Sequence, residues 1–181
     1  MNVFRAISFC CFLLTGIGCS PPHLKPCEYP IDSAHRAVVS LSAGGAWGRQ
    51  YRYIADGRRA CREVSFPEEN KNHSTSYPLR RQQEVVPTET AWLRFWAEVD
   101  RLRVSEWGPR YFAEDIGLQV YDGTQWWMTY QTHSTKRETS GDNAYPKLGA
   151  PRTVTLDNKA FDDLFDAFAS LFPTPMKSFE K

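Results

Sequence analysis

The sequence has no apolar run long enough to cross a bilayer as a helix: residues 6–18, its most apolar stretch, are thirteen uncharged positions, against the ~20 that a span needs. It has almost no charge bias either, with 22 Lys+Arg against 21 Asp+Glu. Its basic pairs, Arg58-Arg59, Arg80-Arg81 and Lys136-Arg137, extend into no longer run. Polyanion binding depends on clustered, uncompensated cations, so no nucleic acid is expected as a partner. Gly-x-Ser-x-Gly elbows, His-Glu-x-x-His pairs and phosphate-cradling loops are all missing. Gly44, Gly45 and Gly48 link two predicted strands and precede no helix, so they lack the helix N-terminus that a phosphate site uses. No cluster of His and Cys has metal-site spacing, and neither a metal nor a cofactor is expected. Internal repeats and low-complexity segments are absent as well.

What remains is an ordinary globular composition: 181 residues with 41% hydrophobic and 24% charged side chains, enough for one domain with a real core. Ahead of it, Arg5 is followed by residues 6–18, uncharged and mostly apolar, which end in Thr15-Gly16-Ile17-Gly18 immediately before Cys19. A positive start, a short apolar stretch and small residues before a cut describe a secretory signal. With a small residue immediately before Cys19, the stretch resembles a bacterial lipoprotein signal, departing from the common pattern at Gly16, where leucine is usual. The resemblance covers residues 1–20. It implies removal of residues 1–18, a diacylglycerol thioether and an acylated amino group on Cys19, and, with Ser20 next, passage to the outer membrane, facing the periplasm or the cell surface. One acyl chain binds a membrane marginally, and two or more anchor it stably. Plain cleavage near Gly18 without lipid is one alternative, and an uncleaved short anchor is another. Residues 19–35, with Pro21, Pro22, Pro26 and Pro30, read as a tether that cannot continue a helix.

Loss of residues 1–18 takes Arg5, Cys10 and Cys11 with it and leaves 21 basic and 21 acidic side chains. With Cys19 acylated, Cys27 and Cys61 remain as an even pair in an oxidising compartment, so a disulfide is expected. Closing a ~35-residue loop is worth about 4 kcal/mol by chain entropy. Two unpaired thiols are the alternative.

The folded domain is placed at residues 36–173, with 174–181 as a tail. Residues 36–41, 50–55 and 59–66 read as a three-stranded meander in which Asp56-Gly57 makes a two-residue turn with both residues at positive φ. Residues 67–87 are polar and aperiodic and read as a long surface loop. Trp92, Phe95, Trp96, Val99 and Leu102 recur at helical spacing behind Thr88, a helix-capping residue. Arg94 and Glu98 are placed to pair across the wet side of that helix. Residues 104–107 suggest a further strand, 118–121 and 124–131 a hairpin about Asp122-Gly123, and 132–151 another loop. From Asp157 a second helix carries Phe161, Leu164, Phe165, Phe168, Leu171 and Phe172 to its stop at Pro173. Two such stripes need one surface to cover, which predicts an α+β domain: an antiparallel sheet of about five strands with both helices packed on one face.

Surplus aromatics suggest a binding platform for sugars or peptides. Trp92 and Trp96 lie on the expected buried stripe, and one of Trp126 and Trp127 must face inward because strand neighbours point oppositely. Trp107, Tyr111 and the outward member of that pair are the exposed candidates, joined by Asn143 and Tyr145 from the loop at 140–146. Residues 87–172 are also similar to uncharacterised bacterial domains, a resemblance that implies no activity. His133, near Ser134, Ser140 and Asp142, is the one candidate base, while Glu114-Asp115 and Asp162, Asp163 and Asp166 read as solvated charge. The expected function is that of a noncatalytic, lipid-anchored envelope protein presenting a binding domain to an envelope protein or glycan. An envelope hydrolase using His133 is one alternative. An inhibitor or immunity-type protein, blocking an enzyme with the loop at 67–87, is another.

Overall fold

A computed structural model describes Cys27 and residues 37–45, 48–69, 75–76, 79–120 and 123–175; Cys19 and residues 1–18, read above as a signal, lie outside these. In chain order the elements are β1 (Val38–Gly45), β2 (Gln50–Ala55), β3 (Ala60–Ser65), the two-residue β4 (Glu68–Glu69) and β5 (Thr75–Ser76), and β6 (Leu79–Val85). There follow α1 (Glu89–Arg101), β7 (Arg110–Phe112), β8 (Thr124–Gln131), β9 (Lys136–Asp142), β10 (Tyr145–Lys147), β11 (Ala150–Thr155) and α2 (Lys159–Ala169).

The domain is α+β, as the two stripes require, but its main sheet has seven strands in the order β6-β3-β2-β1-β8-β9-β7 rather than about five. Of the strands not anticipated in this sheet, β6 and β9 come from segments read as loops, and β7 from residues 110–112, which were assigned to no element. β6 and β9 are too polar to show an apolar alternation, and each is specified instead by its partner's backbone. β6 continues the meander beyond β3, and β9 returns antiparallel beside β8. The short β7 adds to β9 in parallel, the one parallel pairing in this sheet. Residues 104–106 form a 3-10 turn and not a strand, and residues 118–120 belong to no strand. The turn between β2 and β3 is also narrower in its demands than expected. Asp56 N–H donates to Arg59 O at 3.2 Å, and of the turn residues Gly57 alone has positive φ, at 89°.

On β1, Val39, Leu41 and Ala43 are buried while Val38, Ser40 and Ser42 are not. This period-2 pattern gives the sheet a core face and an outer face. Both helices lie against the core face. Phe95 of α1 meets Phe168 of α2 edge-on at 5.0 Å, and Tyr53 of β2 stacks on Phe168 at 5.4 Å. Side chains from both helices and from β1, β2, β3 and β8 form one buried cluster. α1 starts where expected, Thr88 Oγ1 accepting from Ala91 N–H at 3.2 Å. α2 starts two residues later than expected, behind Asn158, with Asp157 Oδ1 accepting from Lys159 N–H at 3.0 Å. Glu98 pairs with Arg101 rather than with Arg94, and Arg101 also reaches Asp163 of α2 at 2.6 Å. Among the described residues, no helix is long and apolar enough to cross a membrane.

Cys27 and Cys61 are disulfide-bonded, with Cα atoms 6.3 Å apart. Together with Ile54 they form a second, small cluster. Ile54 and Cys61 alternate with the core-facing Tyr53 and Arg62, so the bridge ties Cys27 to the outer face. Glu63 Oε1 accepts from Cys27 N–H at 2.6 Å and Gln82 Nε2 donates to Cys27 Sγ at 2.8 Å. Cys27, Cys61 and Glu63 have ligand atoms within 4.8 Å of one another, but with the sulfurs bonded to each other no thiolate pair is left to hold a metal.

Candidate functional site

The structure sorts the aromatic candidates differently from their sequence positions. Trp107 and Tyr111, expected to escape the core, are 3% and 0% exposed. They pack around Trp126, itself fully buried. Tyr111 stacks on it at 5.8 Å, Trp107 meets it edge-on at 6.0 Å, and the half-buried Tyr145 stacks on it at 6.3 Å. The polar handles of Trp107, Trp126 and Tyr111 are satisfied by backbone. Trp107 Nε1 donates to Leu102 O and Trp126 Nε1 to Ala144 O, both at 3.0 Å, while Tyr111 Oη accepts from Gly108 N–H at 2.6 Å and donates to Pro151 O. Burial pushes the Tyr111 and Tyr145 hydroxyls above their ordinary pKa, so neither is ionised near neutrality. Gly141 of β9 makes the arrangement fit, because a Cβ there would lie 2.1 Å from Trp126 Nε1.

Asn143 is a clamp between strands. At φ 54° it accepts from Thr124 N–H through Oδ1 at 2.9 Å, and its Nδ2 donates to Asp142 Oδ1 at 2.6 Å. Among the six ligand-binding candidates Trp107, Tyr111, Trp126, Trp127, Asn143 and Tyr145, Trp127 alone is exposed, at 53%. It lines a shallow cavity of about 370 Å³ on the outer face with Pro109, Thr129, Glu138 and Ser140.

A larger cleft among the described residues was not anticipated from the sequence. About 920 Å³ in volume, it opens between the β2–β3 turn and the first half of α1, with Asp56, Gly57, Arg58 and Arg59 on one side and Val86, Pro87, Glu89, Trp92, Leu93 and Trp96 on the other. Trp92 and Trp96, assigned to the core by their stripe, are only half-buried and stack on one another at 6.3 Å with planes 19° apart. Phe95, between them, takes the core position that a three-aromatic stripe cannot share, and both indoles contact its ring edge-on. Val86 and Leu93 are 80% and 65% exposed at the cleft mouth. The opposite wall is tied together by side-chain contacts: Asp56 Oδ1 accepts from the N–H groups of Arg58 and Arg59 at 2.7 and 2.6 Å, and Arg59 also reaches Glu84 at 3.5 Å. One sequence signal could have found the cleft. Leu93 lies between Trp92 and Phe95, off the helix's buried stripe, so a large apolar side chain there has no core to enter.

His133 stands exposed in the β8–β9 turn. That turn is organised by Thr132, whose Oγ1 accepts from the N–H groups of Ser134 and Thr135 at 3.3 and 3.1 Å. Among the described residues, no hydroxyl or carboxylate is hydrogen-bonded to His133. Asp162, Asp163 and Asp166 lie on α2. Asp163 is held below the usual carboxylate range by hydrogen bonds from Lys159 and Arg101, whereas desolvation raises Asp162. No protein-family model matches the chain, and among curated proteins none is significantly similar to it.

Proposed function

We propose that the chain is a lipid-anchored protein of the bacterial cell envelope, held through Cys19, whose folded domain is a noncatalytic binding module for another envelope protein. The observation that carries the binding reading is the Trp92–Trp96 cleft. Stacked indoles, an exposed leucine and an exposed valine keep apolar surface in water, which a partner's apolar segment would relieve, and the rim of Arg58, Arg59 and Glu89 supplies polar orientation. Anchoring is supported by the resemblance of residues 1–20 to a lipoprotein signal and by the proline-rich tether that follows. Against the hydrolase alternative, His133 sits at an exposed turn with no nucleophile hydrogen-bonded to it. Against the inhibitor alternative, residues 79–85 form the edge strand of the main sheet rather than a protruding loop.

Two measurements test the two halves. Cells fed radiolabelled palmitate label the native chain and leave Cys19→Ala unlabelled; label on the variant removes the anchor. Crosslinking in intact envelopes, comparing native protein with Leu93→Arg at equal expression, gives an adduct that the charged variant loses. An adduct of the same yield from both removes the cleft as the binding surface.

A further inference from the structure

The outer face of the sheet carries a second arrangement, independent of the cleft and of the anchor. Strand register places Ser42, Trp127 and Ser140 in one row across β1, β8 and β9. The row on one side is Ser40, Thr129 and Glu138; the row on the other is Gly44, Gln125 and Asp142. Because Trp126 and Met128 are buried on the core face, alternation puts Trp127 and all these partners on the opposite face. An exposed indole therefore stands at the centre of a three-by-three lattice with no other apolar side chain in it. The lattice measures about 10 Å across the strands and about 13 Å along them.

We propose that this face binds an uncharged oligosaccharide, one pyranose ring stacking on Trp127 and its hydroxyls exchanging hydrogen bonds with the surrounding lattice. A protein partner would want a contiguous apolar patch around its aromatic anchor; here every lattice neighbour with a side chain is a hydroxyl, an amide or a carboxylate, and Pro109 alone adds an apolar edge to the cavity beside them. The charge is equally selective. The carboxylates in the lattice are Glu138, paired with Lys136 at 2.5 Å, and Asp142, which accepts from Asn143 and Gln125; their remaining lone pairs accept from sugar hydroxyls, and no cation in the lattice itself attracts phosphate or uronate. The guanidiniums that continue the central row are already engaged, Arg52 with Glu63 at 3.3 Å and Arg110 with Asp115 at 2.9 Å. The ring's C–H face supplies the positive edge that an indole face attracts.

The test is isothermal titration of the full chain in detergent with four probes. Chitotetraose represents N-acetylated wall glycan, cellotetraose and maltotetraose represent unacetylated glucans, and tetragalacturonate is the anionic control. At least one neutral probe binds, in the ~0.1–1 mM range that one stacked ring supports, and which one identifies the source. Trp127→Ala weakens that binding about tenfold without moving the melting temperature, Trp127→Tyr retains part of it, and Leu93→Arg leaves it intact, separating this face from the cleft. Absence of binding by all three neutral probes, equal binding by Trp127→Ala, or tighter binding of tetragalacturonate overturns the proposal.

Discussion

Trp126 and Trp127 are neighbours in sequence and opposites in environment. The first is fully buried among Tyr111, Trp107, Tyr145 and Phe161, and the second is more than half exposed among serines and threonine. The same contrast runs through the whole sheet. Its core face is closed by two helices and read out in apolar side chains, whereas its outer face carries a disulfide at one end and a polar lattice at the other. An aromatic side chain thus has no fixed meaning in this molecule. Its role depends on which side of β8 it leaves, and chemistry that faces solvent is available for recognition only where no helix covers it.

The contrast is most sharply tested at the pair itself. Trp126→Ala opens a void that β7, β9 and α2 cannot fill and costs about 3–5 kcal/mol in chemical denaturation, while Trp127→Ala stays within about 0.5 kcal/mol. Comparable losses at both positions would erase the distinction between the faces. Next in size is the staple on the outer face. Cys61→Ser, or reduction of the native protein, lowers stability by about 2–5 kcal/mol, read as a shift in denaturation midpoint that the variant no longer shows on adding reductant. Within the core group, Tyr111→Phe leaves Gly108 N–H and Pro151 O without their partner and costs about 1–3 kcal/mol; double-mutant analysis with Trp126 should show coupling, since the rings touch.

Smallest is the polar tie between the helices. Asp163 has a folded pKa below its unfolded value, so its contribution is present above the ordinary carboxylate range and is lost as pH falls through the depressed value. Asp163→Asn therefore lowers the melting temperature near neutrality, and the deficit shrinks as the buffer is acidified. A deficit independent of pH would assign Asp163 a packing role in place of an electrostatic one.

Both helices were legible in the sequence because their stripes repeat at a single period and Thr88 marks the start of α1. Residues such as Val39 and Leu41 announced β1 in the same way. β6 and β9 were not legible, since Gln82, Glu84, Lys136 and Glu138 carry no apolar alternation and owe their conformation to hydrogen bonds from β3 and β8. The candidate site was partly legible. Trp127 was named, but only as one of a pair whose orientation strand alternation leaves open. Trp92 and Trp96 were hidden by belonging to a helix stripe wider than the surface it covers.

By itself the sequence determined the periodic parts, two amphipathic helices and the β1–β3 meander, and it offered Cys27 and Cys61 as a candidate pair. These follow from interactions within a few residues, or from counting. Only the tertiary structure decided which strands flank β8, that Trp126 is core and Trp127 is surface, and that α1 leaves two indoles at a cleft mouth. Those outcomes depend on which backbone lies 4.8 Å away and on how much of a stripe one neighbouring surface can cover, and neither is encoded at any fixed spacing along the chain.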